Sequence, residues 1–195
     1  MSDAPPTRRV VVLHGYNAHP GKHWFDWLAA ELEPDGIAVF TPALPDSANP
    51  SLVAWLAAAH DAIGTPDAAL VVIGHSLGSI TAVKSLAALP ADDAGGWQLG
   101  GLVLVSGFDS SLPNLPDLDG FTAETVDYAP IIRNTRSRRM IVSDDDEVVA
   151  PALSHRLAAA LHAEVTVVPG GGHFRSDDGY TSFAEVARDV RAMLA

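Results

Sequence analysis

The chain has 195 residues, a net charge of −12, and 48% hydrophobic against 18% charged residues, a composition that can bury a core and resists disorder. So acidic a balance argues against nucleic acid as a partner, and the absence of cysteine excludes disulfides, thiolate catalysis and Cys-ligated zinc. No apolar run reaches the about 18 residues of a membrane span, and "MSDAPPTRRVVVLHG" lacks a signal-peptide pattern, so no membrane partner and a cytoplasmic location are expected.

One domain over 1–195 is expected, with a flexible stretch at 1–8. A first strand is predicted in "RVVVLHG" (9–15), followed by a helix whose Trp24, Leu28 and Leu32 recur every four residues. Next come a strand in "IAVFTP" (37–42), a helix carrying Leu52, Leu56, Ala59 and Ile63, and a strand in "ALVVIGH" (69–75). A helical pattern with Val83 and Leu86 leads to the strand "GLVLVSG" (101–107). Residues 108–130, rich in Pro, Asp and Ser, read as a long loop near the active site with one short helix. The strand "RRMIVSD" (138–144), a helix with Leu153, Leu157 and Leu161, the strand "EVTVVPG" (164–170) and a last helix over roughly 180–194 complete the chain. Each strand is a continuous apolar block, as expected for strands buried on both faces of a parallel sheet. The expected fold is therefore α/β: a doubly wound, mostly parallel six-stranded sheet with helices on both faces and no separate lid domain. In such a sheet the active site lies beyond the carboxyl ends of the strands.

"GHSLG" (74–78) sits between a predicted strand and a predicted helix, the context in which G-x-S-x-G is a nucleophile elbow. Glycines two before and two after Ser76 let strand and helix approach, and the helix N-terminus favours negative charge developing there. An ordinary glycine-flanked βα turn is the plainer alternative. A serine hydroxyl needs a base, and the expected chain order is Ser, acid, His. Of the eight histidines, His173 in "VVPGGGHFRSDD" is the candidate, because three glycines let its loop swing over the sheet edge. His60, His155 and His162 fall in or at the ends of helices, and the side chain of His75 should diverge from that of Ser76. The oxyanion hole is expected from the backbone N–H groups of Leu77 and, after the first strand, Tyr16. His14, His19 and His23 lack the spacing of a metal-ligating pair and have no carboxylate among them, so no metal and no cofactor are expected.

These motifs resemble the α/β-hydrolase superfamily, and more narrowly the small serine hydrolases related to retinoblastoma-binding protein 9. The narrower resemblance rests on "HWFDWLAAELE" (23–33), "LPD" (44–46), "GHSLG" (74–78), "SDDDEVVAP" (143–151) and "GGHF" (171–174). It implies a compact hydrolase core with a Ser-His-Asp site for small esters or related acyl substrates, and it leaves room for a protein partner.

The acid must reach His173 from a fixed loop. In "IVSDDDEVVAP" (141–151), Asp144 stands at the strand end and suits turn capping, Asp145 at the apex suits solvation, and Asp146 lies on the return limb anchored by Val148, Val149 and Pro151. Asp146 is the expected acid and the resemblance agrees, with Asp145 and Asp109 as alternatives and calcium or magnesium binding as the rival use of the run.

The expected activity is hydrolysis of a small carboxylic ester through an acyl-enzyme, with Ser76 as nucleophile, His173 as base and Asp146 as acid, failing at acid pH as His173 protonates. Thioesterase or peptidase action would use the same triad. Trp24, Phe108 and Phe174, with Phe25 and Phe121, are expected to line an acyl pocket, and Asp109, Asp117 and Asp119 near its mouth to disfavour anionic substrates. A protein-interaction module with an idle site is the competing class. A phospho-receiver domain is disfavoured because "HGYN" replaces the acidic pocket after the first strand.

Overall fold

A computed structural model describes residues 7–90 and 96–195. Six strands, β1 (Arg9–Leu13), β2 (Ala38–Phe40), β3 (Leu70–His75), β4 (Leu99–Val105), β5 (Thr135–Ser143) and β6 (Glu164–Val168), form one sheet in the order β2-β1-β3-β4-β5-β6. Every neighbouring pair is parallel. The helices are α1 (Phe25–Leu32), α2 (Leu52–Ile63), α3 (Leu77–Ala87), α4 (Ala129–Asn134), α5 (Pro151–Ala160) and α6 (Ala184–Met193). The architecture is the expected minimal α/β-hydrolase fold. Because side chains alternate across a strand, the apolar blocks of β1, β3, β4 and β5 feed two cores. The edge strands β2 and β6 are not buried on both faces as expected, and Val165 and Val167 of β6 are exposed. Val11, Leu13, Val72, Leu102, Leu104 and Met140 pack under α2, α3 and α5, while Val10, Val12, Ile73, Val103, Val105 and Ile141 pack under α1 and α6.

The differences from the expected elements have local causes. Strand β2 is a three-residue edge whose Phe40 is 55% exposed, since one side of it has no neighbour. Helix α6 starts at Ala184 rather than near 180, because a 3₁₀ turn at Ser176–Asp178 ends on Gly179 with φ 91°. The 108–130 segment holds a 3₁₀ turn at Pro116–Phe121, and just past it α4 begins where the Asp127 carboxylate accepts the Ala129 N–H at 2.9 Å. Residues 1–6 of the expected flexible stretch lie outside the described residues.

Strand order reverses at β1, which lies between β2 and β3, so the loops leaving β1 and β3 diverge at their carboxyl ends. Those loops carry Tyr16 and Ser76.

Candidate active site

The turn between β3 and α3 is one residue long. Ser76 occupies it at φ 54°, ψ −122°, a conformation that costs a non-glycine residue on the order of 1–3 kcal/mol. Two backbone bonds hold it: the Ser76 N–H donates to the Val105 carbonyl and the Ser79 N–H to the Ser76 carbonyl, each at 2.9 Å. The flanking glycines are required by contact. A Cβ at Gly78 would sit 2.0 Å from the Leu13 carbonyl oxygen, and one at Gly74 would sit 2.5 Å from the Ser79 Cα. Ser76 is thereby presented at the N-terminus of an eleven-residue helix, whose first N–H groups have no intrahelical acceptor.

His173 is fixed by three of its own groups. Its N–H donates to Asp178 at 3.0 Å, its carbonyl accepts from His75 Nε2 at 2.9 Å, and its Nδ1 donates to Asp146 Oδ2 at 2.8 Å. With the proton on Nδ1, its Nε2 is left as an acceptor. Asp146 is itself saturated. Oδ2 also accepts the Ser106 hydroxyl at 2.7 Å, and Oδ1 accepts the N–H groups of Val148 and Val149 at 2.9 Å each. Burial raises the pKa of this carboxyl, but the hydrogen bond and charge of His173, with Ser106 and Val149, outweigh it and leave the pKa below the ordinary value. Asp146 and His173 are 6% and 5% exposed, so this pair is sheltered from water.

The other two aspartates of the run bind elsewhere on the same loop. Asp144 accepts the Gly170 N–H and Asp145 the Gly172 N–H, each at 2.8 Å. Asp145 is exposed, as expected of a solvated apex, while Asp144 bonds across to Gly170 instead of capping its own turn, and both lace the glycine loop of His173 to the end of β5. The three carboxylates diverge to three partners instead of converging as ion ligands do. Asp109 accepts the Tyr128 hydroxyl and pairs with Arg156, and so does not serve His173.

Tyr16, Ser76 and His173 line one cavity of about 310 Å³. Among the described residues no direct hydrogen bond joins Ser76 to His173, and such bonds often tighten only when substrate is bound. The Tyr16 N–H has no backbone acceptor among the described residues, as the oxyanion role requires. Gly15, just before it, packs against the Ser76 turn: a Cβ there would lie 3.0 Å from that of Ser76.

The sequence belongs with known hydrolases. A family model described as "Serine hydrolase" matches residues 10–192, nearly the whole chain. The chain belongs to this family. It is 37% identical over 176 residues to YdeN of Bacillus subtilis (strain 168), covering 90% of each chain. The crystal structure of that ydeN gene product superimposes with a TM-score of 0.90 at 35% identity, over 96% of this chain and 98% of that one. A YdeN-like protein from Pectobacterium atrosepticum matches at TM-score 0.67 and 17% identity over 96% and 94% of the two chains, which speaks for the fold alone.

Within this serine hydrolase, the aromatic residues expected in the pocket are elsewhere. Trp24, Phe108 and Phe174 are 0%, 1% and 0% exposed, and Phe25 and Phe121 are buried too. The expectation is corrected: at these strand ends the rings complete the two cores, because helix packing covers them before any cavity forms. Trp24→Ala should therefore cost about 3–5 kcal/mol of unfolding free energy, measured by urea titration. A soluble, equally stable variant with altered ester selectivity would contradict the core assignment. The cavity wall also includes Lys22, Arg175 and Asp177, and Asp109, Asp117 and Asp119 are not part of it, so the expected acidic mouth is not observed.

Two buried histidines, His14 and His75, and the half-buried His23 were not given these roles by the sequence. His14 donates from Nδ1 to the Gly15 carbonyl at 3.0 Å and accepts the Leu44 N–H on Nε2 at 3.1 Å, tying the Tyr16 loop to the "LPD" segment. His75 anchors the backbone of His173, and its Nδ1 is buried without a partner among the described residues. His23, at φ 61°, accepts the Ser176 N–H on Nδ1 at 3.0 Å. His14 and His23 thus turn to different partners and do not converge as a metal site.

Proposed function

We propose that this serine hydrolase cleaves small carboxylic esters through an acyl-enzyme made by Ser76, His173 and Asp146. The observation that carries this reading is the 2.8 Å contact between His173 Nδ1 and Asp146 Oδ2, which assigns the proton of the neutral ring to Nδ1. Its Nδ1–H is held by a saturated Asp146 carboxylate, so its Nε2 stands free to accept a proton in the cavity that Ser76 also lines. In the forward step His173 Nε2 takes the hydroxyl proton as Ser76 Oγ attacks the ester carbonyl. The N–H groups of Leu77 and Tyr16 stabilise the oxyanion, and His173 returns the proton to the departing alcohol. Water, deprotonated by the same nitrogen, then releases the acid. The cavity volume favours a small acyl group over a long chain.

A fluorophosphonate probe tests the core of this reading. Wild type should label and Ser76→Ala should not, and 4-nitrophenyl esters should be hydrolysed fastest with short acyl chains. Equal labelling of Ser76→Ala would remove Ser76 as nucleophile. Labelled enzyme that cleaves aminoacyl amides but no ester would make the chain a peptidase.

A further inference from the structure

We propose that Lys22 and His23 form a carboxylate-recognition subsite in the Ser76 cavity, so that the preferred acyl group carries a terminal carboxylate. The inference rests on the esterase reading above and adds the substrate class to it.

The tautomer of His23 follows from hydrogen-bond chemistry. A backbone N–H can only donate, and the Ser176 N–H points at His23 Nδ1 from 3.0 Å, so that nitrogen is unprotonated and the proton resides on Nε2. The Ser176 hydroxyl, 3.4 Å from the same Nδ1, is a longer contact on that side. Nε2–H has no protein partner among the described residues, and it is not among the buried polar atoms sealed from solvent. His23 lines the cavity that Ser76 and His173 line. A ring that lines the cavity therefore carries one unspent donor.

Its neighbour supplies the charge. Lys22 lines the same cavity and donates to the Asn17 carbonyl at 3.0 Å, and no ion pair joins its ammonium to a carboxylate among the described residues. Arg175, the other cation of the wall, is engaged by Asp178 through two bonds of 3.0 and 3.1 Å. Asp177 is the wall's one carboxylate, and it opposes an anionic ligand. The balance at the His23 ring is nonetheless positive. Burial first, then the charges of Lys22, His173 and Arg175, pull its pKa down to about 4, and the raising effect of Asp177 is the smallest of the five influences. In a chain of net charge −12, a local positive field beside an unspent donor suits a carboxylate, which accepts from both groups.

Methanol release from monomethyl succinate and from methyl butyrate, which have the same acyl chain length but differ in a terminal carboxylate, tests the proposal. The wild-type kcat/KM should favour the succinate ester by about tenfold, as one charge-assisted hydrogen bond implies, and high salt should shrink that preference. Lys22→Met should bring the ratio toward unity mainly through KM, and Lys22→Glu should invert it. Lys22 is partly exposed, so neither change threatens the core. His23→Phe should lower the same ratio. Preference for methyl butyrate, or an unchanged ratio in Lys22→Met, would overturn the subsite while leaving the esterase intact. Failure to hydrolyse either ester, together with no probe labelling of Ser76, would instead overturn the esterase reading on which it rests.

Discussion

Asp146→Asn is expected to lower kcat on short 4-nitrophenyl esters by about 10⁴, the size of effect the same change has in serine-protease triads. The carboxylate accepts four hydrogen bonds, from Ser106, Val148, Val149 and His173, so an amide cannot satisfy them all. Two backbone N–H groups claim Oδ1, which leaves the amide nitrogen in the position of Oδ2, facing His173 Nδ1. A donor there forces the imidazole proton onto Nε2, where it can no longer take the proton of Ser76. Asp144→Asn and Asp145→Asn each keep an oxygen that can accept the Gly170 or Gly172 N–H, so their losses should stay within about tenfold, as expected for one weakened hydrogen bond. A loss in Asp145→Asn matching that of Asp146→Asn would move the acid one residue earlier. Retention of activity by Asp146→Asn would remove the triad altogether.

The sheet and the elbow were legible because their signals are local and steric. Short continuous apolar blocks bounded by turn residues point to strands covered on both faces, which holds for β1, β3, β4 and β5 but not for the edges β2 and β6. "GHSLG" places two glycines where a Cβ would collide with the Leu13 carbonyl or the Ser79 Cα. The pairing of Asp146 with His173 was reachable by the geometry of its return limb and by family resemblance together. What stayed hidden depends on contacts between residues far apart in the chain. Nothing near Ser106 announces that its hydroxyl meets a carboxylate forty residues later, and nothing near His75 announces a bond to the carbonyl of His173. The aromatic residues misled for a related reason. A ring near a strand end is compatible with core or pocket, and the choice is made by whether α1, α2 and α6 pack over it. The cavity's charge was misjudged because the acidic 108–130 segment is conspicuous in sequence, whereas Asp109 is spent on Tyr128 and Arg156, and the wall contains Lys22 and Arg175. Asp145 is exposed as its apex position implies, but nothing local shows that Asp144 and Asp145 each bond a glycine more than twenty residues on.

Those same distant contacts make the fold acid-sensitive. Thermal stability should be full above about pH 6.5 and fall as pH drops toward 4, with a loss in Tm on the order of 10 °C between pH 7 and 4.5. The sign comes from His14, His23 and His75, whose folded pKa values all lie below the free imidazole value of 6.5. Burial is the first cause in each, and His23 is lowered to about 4. Between the two pKa values the unfolded chain binds the extra protons, so acid favours unfolding. The geometry gives the reason. A proton added to His14 Nε2 meets the Leu44 N–H, one added to His23 Nδ1 meets the Ser176 N–H, and one added to His75 Nδ1 enters a buried site with no acceptor among the described residues. His23 is partly open to solvent, so its share is smaller than its shift alone implies. The carboxyl of Asp146 works in a separate, lower window: its pKa lies below the ordinary carboxylate value, so its contribution persists until the pH has fallen past that value. His75→Gln isolates one group, because a glutamine amide can still donate to the His173 carbonyl but takes up no proton. Its Tm should vary less steeply than wild type between pH 7 and 5. An unchanged slope would mean that His75 binds its proton equally well in the folded and unfolded chains, and a wild-type Tm that is flat over this range would say the same of all three rings.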